Sequence, residues 1–171
     1  MTELFATHLG EDFAEALLKA LLAVGYRLPV RHVLLSMGPL QAKRALRNSA
    51  RTLQHLGIHL YATAGTAAFL AAHRVATTLL HGPLEAHSPN TMEYLSQGKI
   101  DLVINIPQPG QADERTNDYL LRRGAVDFGV PLLTNIQLTQ HVVAALACKH
   151  PAALALKSWG EYATTTTRRV A

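Results

Sequence analysis

Residues 60–70 read Leu-Tyr-Ala-Thr-Ala-Gly-Thr-Ala-Ala-Phe-Leu, an apolar run that breaks at Thr63-Ala64-Gly65-Thr66 and resumes at once. Two hydroxyls flanking a glycine, at a corner between strand and helix, suit the binding of an anion. Thr63 and Thr66 offer hydroxyl donors, and Gly65 lets a ligand come close to the backbone. A helix starting near residue 65 adds free amides and the positive end of its dipole. Lys43 opens the preceding helix and supplies a cation, while Asn105 ends an apolar strand and supplies both a donor and an acceptor. A phosphate or a carboxylate is the natural guest. The alternative is that the threonines only cap a helix.

Other patterns narrow the chemistry. Lys43, Arg47 and Arg51 share one helix face through their spacing of four, with Arg44 to one side, and read as a solvated flank. No aromatic residues interleave with these cations, so the formal net charge of +4 does not indicate a nucleic-acid partner. The nine histidines show no ligand spacing, and His55 and His59 straddle Gly57 at an element junction; no metal is expected. Cys148, the single cysteine, has no partner for an internal disulfide and reads as a packed helix thiol. A reducing cytoplasm is the expected compartment. One of Arg122 and Arg123 is placed to pair with Asp127 at helical spacing.

The elements that must position these residues follow from periodicity. With 171 residues, 49% of them hydrophobic, the chain can bury one core. No apolar run is long enough to span a bilayer, and the N-terminus lacks the order of a signal peptide. Residues 11–24 have helical spacing and stop at Gly25, with Pro29 beyond. His32–Met37 is a short apolar strand, followed at Gly38-Pro39 by a helix to about residue 55. Strand 57–63, helix 66–73 and a weaker strand over 75–80 come next, then the polar loop 81–90 and a helix over 90–98. Residues 100–106 are apolar on both faces and read as the central strand. Loop 107–116, helix 117–129, strand 130–134 and helix 135–147 complete the pattern; the tail beyond Pro151 is weakly patterned and expected to be mobile.

Such alternation predicts an α/β fold, a doubly wound parallel sheet of about five strands with helices on both faces. Ligands in such folds bind outside the carboxyl ends of the strands. The segments emerging there are Ser36–Lys43, Ala62–Thr66, Leu80–Pro83, Asn105–Gly110 and Thr134-Asn135.

Residues 60–70, 98–108 and 117–135 resemble the methylglyoxal-synthase-like domain, the C-terminal allosteric module of the large subunit of carbamoyl phosphate synthetase. The likeness runs from about residue 30 to 147 and is strongest over 98–135. It implies a Rossmann-type three-layer domain over 30–149, a connecting helix within 1–29 and a tail over 150–171. The implied function is non-catalytic regulation, without a cofactor, of carbamoyl phosphate synthesis for arginine or pyrimidine biosynthesis. The implied partners are a small anionic metabolite and a synthetase body, or a second copy of the chain docked on the apolar face of helix 11–24. No membrane or nucleic-acid partner is implied.

The family also contains an enzyme, methylglyoxal synthase, which eliminates phosphate from dihydroxyacetone phosphate. Its phosphate cradle maps onto Lys43, Thr63, Gly65 and Thr66, but Ser88 stands where its aspartate base belongs. Its further histidine and aspartate fall near Glu114 and Asn117. Glu85, Asp113 and Glu114 read as solvated loop carboxylates, so no catalytic residue is assigned. Nucleotide-regulated modules, which bind uridine or inosine monophosphate, resemble the chain at Lys43, Thr63, Thr66 and Asn105, but Pro83 and Pro107 replace their lysine and threonine. The N-acetylglutamate-regulated, ammonia-dependent type is the nearest likeness. Thr63, Thr66 and Asn105 match its site, Gln108 replaces an asparagine, and Asn117 or Asp118 matches another. His81 is the nearest planar residue to its missing tryptophan, since Trp159 lies far down the tail. A dicarboxylate such as N-acetylglutamate needs two receptors: the Thr63/Thr66 helix start, and Lys43 with the Asn105 amide. An acetylated intermediate of arginine synthesis fits similarly.

Overall fold

The computed structural model describes residues 10–107, 117–149 and 154. In chain order the elements are α1 (Phe13–Ala23), β1 (His32–Met37), α2 (Leu40–His55), β2 (His59–Ala62), α3 (Ala64–Ala72), β3 (Thr78–Leu79), α4 (Thr91–Ser96), β4 (Leu102–Ile106), α5 (Asn117–Asp127), β5 (Leu132–Leu133) and α6 (Ile136–Cys148). All strand pairs are parallel, in the order β3-β2-β1-β4-β5. This is the expected doubly wound sheet, with its reversal of order between β1 and β4. Loop 108–116 and the tail, apart from Leu154, lie outside the described residues, and with them Gln108, Asp113 and Glu114.

Side chains alternate across the sheet, and the two faces build two cores. Val33, Leu35 and Met37 of β1 join Leu102, Ile104 and Ile106 of β4 against α2, α3 and α6. Leu34 and Val103 face the other way, toward Leu95 of α4 and Leu121 and Ala125 of α5. Helix α2 is amphipathic because Ala42, Leu46, Ala50 and Leu53, all buried, recur at helical spacing. Gly124, an unexpected residue inside a helix, permits the α4–α5 contact: a Cβ there would come within 2.8 Å of Met92 Sδ.

The outer strands are shorter than their sequence pattern. Residues 75–80 and 130–134 contribute only two paired residues each, because an edge strand bonds on one side alone. Val75 and Leu80 are nonetheless buried. Helix α3 begins two residues earlier than its apolar spacing indicates, at Ala64. Helix α1 buries one apolar face and leaves Phe13 and Leu22 exposed. It lies along α6, with Leu18 buried, Leu17 and Leu21 packed on the core, and Asp12 paired with Lys149 at 2.7 Å. The Leu17–Leu18–Leu21 face is thus covered from within the chain. Among the described residues, no helix is long and apolar enough to cross a membrane.

Candidate functional site

The corner at Thr63 forms because β2 runs straight into α3. The Thr63 amide still bonds Leu35 O of β1, at 3.1 Å, while its carbonyl already accepts from the Thr66 and Ala67 amides. Thr63 occupies the N-cap position with extended backbone (φ −69°, ψ 155°), yet its side chain makes no capping bond. Its hydroxyl donates instead to Ser36 Oγ at 3.3 Å, a long contact from which the proton can rotate. The cap alternative therefore does not describe Thr63. The Ala64 and Gly65 amides, which a helix leaves without internal acceptors, border a cleft of about 330 Å³.

Lys43 comes to this cleft from the first turn of α2. Its Nζ stands 3.4 Å from the point a Gly65 Cβ would occupy, and it has no ion pair or hydrogen bond among the described residues. Glycine at 65 thus leaves the ammonium room beside the positive end of α3. The rest of the basic stripe keeps Arg44 and Arg51 exposed, as a solvated flank does, although Arg51 reaches the end of α3. Arg51 Nη2 donates to His73 O, beyond the last turn of that helix, at 3.1 Å. Arg47 Nε between them is buried without a partner among the described residues.

Thr66 borders the same cleft but is 1% exposed. Its hydroxyl accepts from the Met37 amide at 2.9 Å and donates to Met37 O at 3.3 Å. Those bonds pin α3 to the end of β1 and occupy the donor the sequence offers to a ligand.

Asn105 is fully buried. It sits on β4 in register with Ser36 of β1, on the sheet face that α5 covers. Its Nδ2 donates to Asp118 Oδ1 at 3.0 Å, and its Oδ1 accepts from Arg122 Nη1 at 3.0 Å. Ser36 Oγ donates to the same Asp118 oxygen at 3.5 Å. Lys43 and the Asn105 amide consequently do not converge as a second anion receptor. The asparagine is committed beneath α5, and the group it presents is the Asp118 carboxyl, which borders the cleft.

Loop 81–90 closes the remaining side. Asn117, at the start of α5, borders the cleft and accepts the Leu84 amide at 2.9 Å. His81 turns its ring toward Glu85, 2.9 Å away, and toward His87, with centroids 5.1 Å apart. It reaches the cleft only through Glu85, whose other oxygen accepts the Gly82 amide at 3.0 Å. The His81 bond, and then the Gly82 amide, hold the Glu85 carboxyl below its ordinary range. Gly82 is needed for closeness, since a Cβ would stand 2.9 Å from Glu85 Oε1 and 3.0 Å from Asn117 Cγ.

The structure thus brings Lys43, Thr63, Gly65, Thr66 and Asn117 together, with Asn105 and His81 behind them. Ser36 was not singled out, although it is the polar break in an otherwise apolar strand, and that is a readable signal. Glu85 is solvent-exposed, as expected of a loop carboxylate, and it also borders the cleft. Among the described residues, no group of histidine, cysteine or carboxylate side chains could hold a metal ion.

A parallel sheet whose carboxyl rim holds Lys43, a helix start and two carboxylates around a cleft defines a doubly wound domain. Residues 45–134 match the family model of the MGS-like domain, over half of the chain, and the chain belongs to that family. It is 36% identical over 151 residues to the multifunctional protein CAD of Squalus acanthias, covering 80% of this chain and 7% of that protein. It is 37% identical over 134 residues to the C-terminal section of the carbamoyl phosphate synthase large chain of Methanopyrus kandleri, covering 78% and 24%. To the human mitochondrial carbamoyl-phosphate synthase [ammonia] it is 36% identical over 135 residues, covering 77% and 9%. The chain therefore spans a small part of these relatives, and equal identity to the first and third does not choose between them. The crystal structure of methylglyoxal synthase from Elizabethkingia anophelis shares the fold, with a TM-score of 0.54 over 67% of this chain and 78% of that one at 18% identity.

Proposed function

We propose that this chain is a non-catalytic regulatory domain that binds a small anionic metabolite at the Thr63–Thr66 corner and acts on a carbamoyl phosphate synthetase body. The observation that carries the reading is the Lys43 ammonium, which has no ion pair among the described residues, beside the N-terminus of α3. An ammonium left without a carboxylate next to free helix amides is a receptor for a carboxylate or phosphate. The kinship with carbamoyl phosphate synthase chains supports the partner. Regulation follows if the effector binds one arrangement of the rim loops better than another, and the attached body senses that preference. N-acetylglutamate is the effector that the sequence resemblance supplies.

A lyase reading needs the same anion corner and a carboxylate that takes a proton from carbon. Ser88 stands where the resemblance puts that base, and Glu85, which borders the cleft, has its carboxyl oxygens engaged by His81 and the Gly82 amide. Dihydroxyacetone phosphate is expected to bind without turnover.

The test is a thermal-shift series with N-acetylglutamate, N-acetylornithine, uridine and inosine monophosphates, dihydroxyacetone phosphate and inorganic phosphate. A ligand at 100 times its Kd stabilises by about 2.7 kcal/mol, which raises Tm by roughly 5–10 °C for a chain of this size. The shift is expected to vanish in Lys43→Ala. Silence across the panel, or a shift that survives Lys43→Ala, refutes the reading. Thr66→Ala is the poorer probe, because it also breaks the bonds to Met37.

A further inference from the structure

We propose that Thr63 meets the cleft as a hydrogen-bond acceptor, so that the corner selects an anion carrying a hydrogen at its charged end over one that carries none. The proposal rests on the anion-site reading above and specifies the ligand class. Its basis is a chain of hydrogen bonds whose direction is set at the far end. Arg122 has only N–H groups to offer, and its Nη1 donates to Asn105 Oδ1 at 3.0 Å. That bond fixes which way the buried Asn105 amide is turned. Its Nδ2 then donates to Asp118 Oδ1 at 3.0 Å and to Ser36 O at 3.4 Å. Asp118 Oδ1 is thus an acceptor, and Ser36, 3.5 Å from the same oxygen, gives its single proton there. The chain uses only this oxygen of Asp118. The Ser36 oxygen keeps its lone pairs for Thr63, whose hydroxyl donates to it at 3.3 Å.

A hydroxyl has one proton and two lone pairs. With its proton given to Ser36, Thr63 turns lone pairs toward the cleft it borders. The start of α3 does not compete for this hydroxyl, since the Thr63 side chain makes no capping bond. A fully deprotonated oxyanion held by Lys43 and the Ala64 and Gly65 amides therefore sets lone pairs against lone pairs at Thr63. An anion with an O–H at that point extends the chain by one bond. The two hydroxyl contacts are long, so the Thr63 proton turns at modest cost and the discrimination is several-fold.

Inorganic phosphate and sulfate test this by titration calorimetry at about pH 8, where both are tetrahedral dianions and only phosphate keeps a proton. Phosphate is expected to bind about five times more tightly, the order of one net hydrogen bond, and Lys43→Ala should weaken both alike. Ser36→Ala removes the acceptor of the Thr63 proton, lets it turn into the cleft and should tighten sulfate. Thr63→Val, at an extended backbone position whose side chain caps nothing, should weaken phosphate alone. Each variant is expected to bring the ratio of the two affinities toward one. Sulfate binding as tightly as phosphate to the unaltered chain overturns the assignment, as does a phosphate preference that survives either variant. If neither oxyanion binds while another member of the panel above gives a Lys43-dependent shift, the assignment fails and the anion site stands. If none does, both fail.

Discussion

The same substitution at two buried threonines is expected to change stability in opposite directions. Thr91, at the first position of α4, is 0% exposed, and its hydroxyl has no partner among the described residues. A buried unsatisfied hydroxyl costs about 1–3 kcal/mol. Valine keeps the branched shape and removes that cost, and the Thr91 amide keeps its 2.9 Å bond to His81 O. Thr91→Val should therefore raise stability by about 1–2 kcal/mol, or Tm by roughly 2–8 °C. Thr66 is equally buried, but its hydroxyl serves both Met37 backbone groups. Thr66→Val strands a buried donor and acceptor at the end of β1 and should lower stability by about 1–3 kcal/mol. Urea unfolding monitored by circular dichroism reads both, with an unchanged m-value as the sign that only stability moved. A destabilised Thr91→Val or a neutral Thr66→Val would refute the hydrogen-bond accounting at the corner.

Arg51→Met should cost about 0.5–1.5 kcal/mol by removing the bond to His73 O, measured by the same unfolding. Gly82→Ala should push Glu85 and Asn117 apart from the loop and speed hydrogen exchange at the Leu84 amide, which Asn117 now holds. The pKa values of Glu15, Asp12 and Glu85 are lowered in the folded chain, chiefly by hydrogen bonds from Lys19, Lys149 and His81 respectively. A depressed carboxyl pKa stabilises the fold above its unfolded value and ceases to do so as pH falls through the folded one. Stability should thus hold above the ordinary values of 3.8 for Asp12 and 4.5 for Glu15 and Glu85 and decline below them, as a Tm series across acid pH would show.

The elements that bury a full face were legible from periodicity alone. β1 and β4 are continuous apolar runs because helices cover both sides of them, and α2 repeats its core residues every three or four positions. The Thr63-Ala64-Gly65 corner was legible because its chemistry is local. The fate of Asn105 was not, since it depends on α5 folding back over β4 and on Arg122 arriving from another segment. The stripe Lys43–Arg47–Arg51 divides for a similar reason: spacing shows that three residues share a face, but not that Lys43 enters the cleft, that Arg47 Nε is buried, or that Arg51 stays exposed. Thr66 looked like a ligand donor because only the fold reveals that Met37 stands within hydrogen-bond reach.

Helix α2 runs from the cleft back toward the amino ends of β1 and β2. Its 16 residues make a rod of about 24 Å at 1.5 Å per residue. Lys43 sits near one end, Gln140 of α6 grips its flank at Ala45 O, and α1 is stacked on the outside of α6. A pivot of about 5° at the lysine end of such a rod carries the His55 end through about 2 Å. A close-packed interior cannot absorb that movement by compression. A displacement of that size at the His55 end would have to be taken up where α6 packs on α2 and, beyond it, where α1 packs on α6.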